Sequence, residues 1–276
     1  MSGVDPLHDP DDEALLDPRQ ARDLAGLVET ARLASAAVRY GLRTQVGVAT
    51  VVLNQDNPLP TANHACALWG TGAQVASTMM RLEEVFAEAG RSEAIVYASP
   101  TTVGDIEGIA DDTLWRAVEE QVVMLHRVRD DVADETRPVE DADLPGVVEL
   151  YGDETGLAEE GERLLTRNLG HRIDEARSVL LAVDDPGADR IAGFVQAFAE
   201  KGVGLIEQVV VRPGRRRRGI GRQLVAAAVE ELRRRGALLV AAHAEEGGTT
   251  ERFFEAAGFE IAYGVTAYAR RIDELL

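Results

Sequence analysis

The sequence predicts a layered α+β (α/β-like) fold, a mixed β-sheet flanked by helices, and three observations lead there. Short β-branched runs such as "SVLLAV", "GLIEQVVV" and "ALLVAAHA" alternate with amphipathic segments of helix length, which sets strands and helices in adjacent layers. The runs "SVLLAV" and "RIAGFVQAFA" flank "DDPGAD", whose residues favour a hairpin turn, so part of the sheet is antiparallel. The order of elements also repeats weakly. In the first half a helix ending "EEVFAEAGR" leads to a strand, a short helix and "DDTLW". In the second a helix ending "EELRRRGA" leads to a strand, a short helix and "EAAGF", and each series closes on a strand. That is the pattern of an internal duplication.

The elements follow in order. Residues 1–16 are rich in Asp and Pro and read as a mobile acidic tail. Asp17 followed by Pro18 reads as an N-cap with proline at the first helical position, and the helix continues to a stop at Gly41. "QVGVATVVL" reads as one strand, "NQDNPLP" as a loop and "ANHACALW" as a second strand. "AQVASTMMRLEEVFAEAG" is an amphipathic helix, "EAIVYAS" a strand, "DIEGIADD" a short helix and "WRAVEEQVVML" a strand. Periodicity fails around "RDDVADETRP", which places a boundary near Asp130 to Arg137 and divides the chain into domains 17–130 and 136–276. Beyond it come two helical stretches, "DADLPGVVELYG" and "LAEEGERLLTRNL", then the hairpin, a third strand, a loop, a long helix and a strand. The helix "TTERFFEAAG" and two closing strands, "FEIAYG" and "VTAYARRI", end the series.

Composition excludes several functions. The net charge of −19 repels phosphate, which argues against nucleic acid as a partner and favours cations, amines included. One cysteine, Cys66, allows no disulfide framework and points to a reducing compartment. The N-terminus has no basic and apolar signal pattern, and no apolar run is long enough to span a membrane. The expectation is a cytoplasmic protein, monomer or homodimer. Five scattered histidines and one cysteine make no metal site, with His64 and Cys66 falling well short of a ligand set. No Gly-Lys-Ser/Thr loop, G-x-G-x-x-G or G-x-S-x-G motif is present.

One stretch stands apart: "VVVRPGRRRRGIGRQLVAAAVEEL", Val209 to Leu232. A strand runs into a glycine-containing loop and then into a helix, an arrangement that aims free backbone N–H groups and the helix dipole at an anion. Gly219 and Gly221 let the main chain approach a ligand. Arg216, Arg217, Arg218 and Arg222 supply positive charge on an otherwise acidic chain. The corresponding place in the first half holds only "WGTGAQV".

Arg216-Arg217-Arg218-Gly219-Ile220-Gly221 resembles the R/Q-x-x-G-x-G/A signature of the GNAT superfamily of acetyltransferases, directly after the "VVVRP" strand end, and "TERFFEAAGFE" resembles that family's later helix and Gly-Phe segment. The resemblance covers about residues 136 to 276. It implies a GNAT-like sheet, in tandem with a degenerate GNAT-like first half, and acetyl-CoA as co-substrate without a metal. It further implies that Val209, Val210 and Val211 offer backbone groups to the pantetheine arm, while Arg216 to Arg222, Ile220 included, wrap the pyrophosphate. The expected reaction is direct transfer of acetyl to a primary amine of a small molecule or peptide.

Such an acceptor is a poor nucleophile when protonated: with a pKa near 10.4, only about one lysine-like amine in two thousand is neutral at pH 7. A carboxylate that takes the proton contributes about 10²–10⁴-fold in rate. Glu207 is the candidate; counting by twos along the strand puts it on the face of Val209 and Val211. Members of the resembling family often carry a tyrosine, as donor to the leaving thiolate, where this chain has Phe254. Tyr263, Tyr268 and His243 are candidate substitutes, and a thiol with pKa near 8.5 can also leave unaided. The missing tyrosine keeps a second reading open, a CoA-binding sensor or scaffold without turnover.

Overall fold

The computed structural model describes residues 17–39, 42–55, 62–127, 136–156 and 176–272. The expected tail, the helix stop at Gly41, the helical stretch "LAEEGERLLTRNL", most of "NQDNPLP" and the boundary segment before Thr136 lie outside the described residues.

The first helix, α1 (Pro18–Arg39), starts as the sequence predicts: the Asp17 carboxylate accepts from the N–H groups of Arg19 at 2.9 Å and Gln20 at 3.3 Å. Its buried residues Ala21, Leu24, Ala25, Val28 and Ala31 recur at helical spacing and face the sheet. "QVGVATVVL" is a hairpin rather than one strand. β1 (Leu42–Val46) turns at Gly47-Val48 into β2 (Ala49–Leu53), with Val46 opposite Ala49. Gly47 sits at φ +56°, a conformation that makes a two-residue turn possible. A Cβ there would collide with Thr78 Oγ1. Then follow β3 (His64–Cys66), α2 (Gly72–Glu88), β4 (Glu93–Ala98), α3 (Val103–Asp112) and β5 (Arg116–His126).

The second half runs β6 (Arg137–Pro138), α4 (Leu144–Thr155), β7 (Ser178–Asp184), β8 (Ile191–Glu200), β9 (Val203–Val211), α5 (Ile220–Arg234), β10 (Leu239–Glu245), α6 (Thr249–Ala256) and β11 (Phe259–Arg271). The two expected closing strands are one, β11, with register irregularities at Ile261/Tyr263 and Ala267/Tyr268. These absorb the break that Gly264 suggests in the sequence.

All strands join one sheet in the order β1-β2-β3-β4-β11-β5-β10-β9-β8-β7-β6. From its centre the order reads β11-β4-β3-β2-β1 one way and β5-β10-β9-β8-β7 the other, and among the described residues only β3–β4 and β9–β10 are parallel. The weak echo in the sequence is thus a two-fold repeat in the topology, with a twist. β5, which ends the first half, pairs with β10, and β11, which ends the second, pairs with β4. Each half completes the other's sheet.

Helices α2, α3, α5 and α6 cover one face of this sheet, and α1 and α4 the other. Although α1 precedes the first half's strands, it packs on β8 and β9 as well as on β1 and β2. Leu24, Val28 and Leu33 are buried there with Val203, Leu205 and Ala241. At about 1.5–3 kcal/mol for each large side chain removed from water, burying these three holds α1 on a core that both halves share.

Candidate active site

β9 and β10 pair from Val203–Leu239 to Ile206–Ala242 and no further. Both strands continue, but β10 pairs only with β5 as far as Glu245, and β9 only with β8 as far as Val211. The strands therefore splay. Over 208–210 the edge of β9 that faces β10 has no ladder partner among the described residues, and such an edge accepts an extended ligand as a further strand would be accepted.

The splay begins at a β-bulge. Gln196 pairs with Gln208 and Ala197 with Ile206, so Glu207 is the extra residue with no counterpart in β8. The bulge also corrects the expected facing. Leu205 packs beneath α1 and Glu207 accepts a hydrogen bond from the hydroxyl of Ser35 on α1. Val209 and Val211 lie on the opposite face with Ile220 and Phe253. Counting by twos fails because one inserted residue reverses the alternation. Val210 turns to the α4 face.

The splayed edge leads into the arginine loop. Arg212 pairs with Glu149 at 2.9 Å, and Arg215 with Asp185 at 2.5 Å. Arg216 pairs with Glu154 and donates from Nε to the Val211 carbonyl at 2.9 Å. The hydrogen bond from Arg215 holds the Asp185 carboxyl below the usual carboxylate range, although burial opposes it. These three arginines fasten the loop to α4 and to the β7–β8 turn, and Arg216 is directed at a carboxylate of the protein. Arg217, Arg218 and Arg222 are exposed, and no ion pair engages them among the described residues. Arg217 takes φ +62°, which costs a non-glycine residue about 1–2 kcal/mol.

The start of α5 carries no side-chain cap, and its N-cap residue, Gly219, has φ +87° with open space where a Cβ would stand. Ile220, Gly221 and Arg222 form the first turn, whose N–H groups have no helical acceptor. Gly221 also has a packing task. A Cβ there would press on Phe253 Cε2 at 2.9 Å, so this glycine lets α6 pack close to α5.

The first half closes the equivalent place. At the start of α2, Thr71 Oγ1 accepts from the Gln74 N–H at 3.4 Å and Gln74 Oε1 accepts from the Thr71 N–H at 2.9 Å, a capping box that takes up two of the amides an anion would use. The carboxylate of Asp105 lies against Gly72, 2.8 Å from where a Cβ would stand. Cys66 follows Ala65, the residue of β3 paired with β4, just as Glu207 follows Ile206. Burial pushes the Cys66 thiol up to about 12, so it stays protonated.

Between α1 and the centre of the sheet lie Glu29, Arg32, Tyr97, Ser99, His243 and Tyr263. Arg32 stands over the Tyr97 ring at 4.1 Å. Burial pushes Glu29 up to about 7, against the hydrogen bond from Ser99 and the charge of Arg32, which lower it. Burial and Arg32 press His243 down to about 3, so its imidazole is neutral at physiological pH and no imidazolium is there to donate. Burial raises the Tyr263 phenol above its ordinary value. Tyr268 packs in the first half's core with Val96 and Trp115, away from the splay. Phe254 is itself core, edge-on to Phe253 and Phe259. None of the three candidate substitutes stands as a ready acid.

The raised Glu29 pKa has a consequence for stability. The unfolded chain releases this proton near 4.5 and the folded chain near 7, so stability is full below 4.5 and falls as pH rises through 7. Between pH 5 and pH 8 the loss is about 2 kcal/mol. Glu29→Gln, which has no proton to lose, is expected to gain that amount over the wild-type protein between those pH values in urea denaturation. An equal difference at both would remove Glu29 from the buried site.

Residues 144–259 match the model of the Acetyltransferase (GNAT) family. No curated protein matches the sequence. Among solved structures, a GCN5-related N-acetyltransferase from Kribbella flavida superposes with a TM-score of 0.67 at 16% identity, covering 89% of this chain and 95% of that one. A GCN5-related N-acetyltransferase from Sphaerobacter thermophilus gives 0.57 at 18% identity, covering 93% and 94%. A tandem GNAT protein from the clavulanic acid biosynthesis pathway gives 0.59 at 14% identity, covering 93% and 97%. At such identities the likeness speaks to the fold, and it extends over both halves. Among the described residues, no helix is long and apolar enough to cross a membrane and no group of three or more His, Cys, Asp or Glu is placed to hold a metal ion.

Proposed function

We propose that this chain, a member of the GNAT acetyltransferase family through its residues 144–259, moves an acetyl group from acetyl-CoA to a primary amine at the β9–β10 splay. One observation supports this above the others: a parallel strand pair that opens at a carboxylate runs directly into a helix N-terminus left uncapped. Acetyl-CoA fits both parts. Its pantetheine arm would bond the β9 edge at Val209, Val210 and Val211. Its pyrophosphate would take the amides of Gly219, Ile220, Gly221 and Arg222. Arg217, Arg218 and Arg222 would face the phosphates, with Arg216 shaping the loop through Glu154. The thioester supplies an activated carbonyl carbon.

Glu207 would accept the proton of the ammonium, directly or through water. The neutral nitrogen then attacks the thioester carbonyl, a C–N bond forms and the C–S bond breaks, and the second proton shed by the nitrogen as the amide forms passes through solvent to the leaving thiolate. With the first half's helix capped by its own side chains and Cys66 at the position of Glu207, one transfer site per chain follows, in residues 136–276. The first half then serves as a degenerate partner, 17–130, that shapes the acceptor side.

The acceptor is expected to be a primary amine on a small molecule or peptide, as an acidic chain favours a cation. The test is thiol release from acetyl-CoA across a panel of primary amines, with the acetylated product identified by mass. A second reading, a CoA-binding sensor without turnover, draws on Phe254, which offers no hydroxyl and is buried. Coenzyme A binding with no thiol release on any amine would favour it.

A further inference from the structure

Glu207 occupies an unusual position for a side chain that must be aimed. As the extra residue of a bulge it has no counterpart in β8, and β10 has already diverged, so the sheet ladder does not fix its orientation. What lies over it is α1, a helix from the other half of the chain. Ser35 of α1 is 0% exposed and donates its hydroxyl to Glu207 Oε1, across 172 positions of sequence.

We propose that Ser35 is a positioning residue for the transfer reaction: its hydroxyl, carried on the first half's helix, holds the Glu207 carboxylate toward the amine. The inference rests on Glu207 being the proton acceptor and adds what aims it. Two further observations support it. Hydroxyls inside helices ordinarily turn back to the carbonyl four residues earlier, and in this protein Thr30, Thr78 and Thr155 do so, to Gly26, Gln74 and Tyr151. Ser35 does not; its hydroxyl leaves the helix for a carboxylate on a strand. The helix that carries it is also fixed to both halves, by Leu24, Val28 and Leu33 in the shared core and by Arg32, one turn earlier, over Tyr97. A donor on such a rigid support restricts a carboxylate in a way that a loop donor would not. It also gives the first half a reason to stay fused to the second: it supplies the helix that aims the second half's base.

Ser35→Ala fits the buried helix without added volume, so folding is expected to persist, with melting temperature as the check. Turnover is read as thiol release from acetyl-CoA, with whichever primary amine of the panel is acetylated, or with water as acceptor where none is. The variant is expected to lower kcat about tenfold and to leave the KM for acetyl-CoA unchanged, since displacing a reacting group slightly costs rate rather than cofactor affinity. Ser35→Thr, which keeps a hydroxyl, should recover most of the loss. In a Glu207→Gln background, Ser35→Ala should cost almost nothing more, because it acts through the group already removed. An equal loss in both backgrounds, or full activity of Ser35→Ala, overturns the positioning role while the base survives. Full activity of Glu207→Gln, or no thiol release from the wild-type protein, overturns the base and Ser35 with it.

Discussion

In calorimetric titration with coenzyme A, the Gly219→Asp variant is expected to bind at least about a hundredfold more weakly than the wild-type protein. Gly219 stands at φ +87° at the uncapped start of α5, with open space beside it. Aspartate there does two things. It places a carboxylate at the positive end of the helix dipole, where it can cap the amides that a pyrophosphate needs. It also sets negative charge against negative charge. Hydrogen bonds to charged groups are worth about 1.5–3 kcal/mol each, so losing two costs about 3 kcal/mol or more, beyond a hundredfold in affinity. Gly219→Ala separates the causes, since it carries the left-handed strain without the charge, and should retain most affinity. Thr71→Ala is the control in the first half: it opens the capping box of α2, costs about 1 kcal/mol of stability, and should leave coenzyme A affinity unchanged. Wild-type affinity in Gly219→Asp would take the loop out of the site, and a loss in Thr71→Ala would mean two sites per chain.

That loop was legible because everything that defines it is local. Strand, glycine spacing and helix stripe lie within Val209 to Leu232, and their order alone specifies an exposed helix end. The Asp17-Pro18 start of α1 was legible for the same reason. What the sequence hid depends on pairing across distance. The bulge at Glu207 inserts one residue relative to β8, and no count along β9 reveals it, so the carboxylate faces α1 instead of sharing a side with Val209. The hairpin at Gly47 escapes a local reading because β-branched residues stand on both sides of its two-residue Gly47-Val48 turn, which lacks a strong turn pair. Arg216 read as a phosphate ligand because its partner, Glu154, stands 62 residues earlier. The crossing of β5 and β11 into each other's halves was equally invisible, since each strand has the same apolar face whichever neighbour it takes.

The largest expected rate effect belongs to Glu207→Gln. Glutamine keeps the size of the side chain and its capacity to meet the Ser35 hydroxyl through the amide oxygen, while losing the ability to take a proton. If Glu207 is the base, the acceptor must then reach the site as the rare neutral amine, and kcat with acetyl-CoA should fall by about 10²–10⁴-fold. Coenzyme A affinity should not change, because the pantetheine and pyrophosphate contacts proposed for 209–211 and the start of α5 would lie beyond the bulge. The loss should also shrink when the amine needs no deprotonation. An acceptor whose amine has a pKa near 7 is already about half neutral at pH 7, so wild-type and variant rates should converge on it, whereas they diverge with a lysine-like amine. That convergence distinguishes a base from a residue that merely binds the cationic acceptor: a binding carboxylate would show its effect in the acceptor KM. A uniform fall in kcat for both amines, with neither KM altered, would assign Glu207 to the architecture of the bulge instead of to the proton.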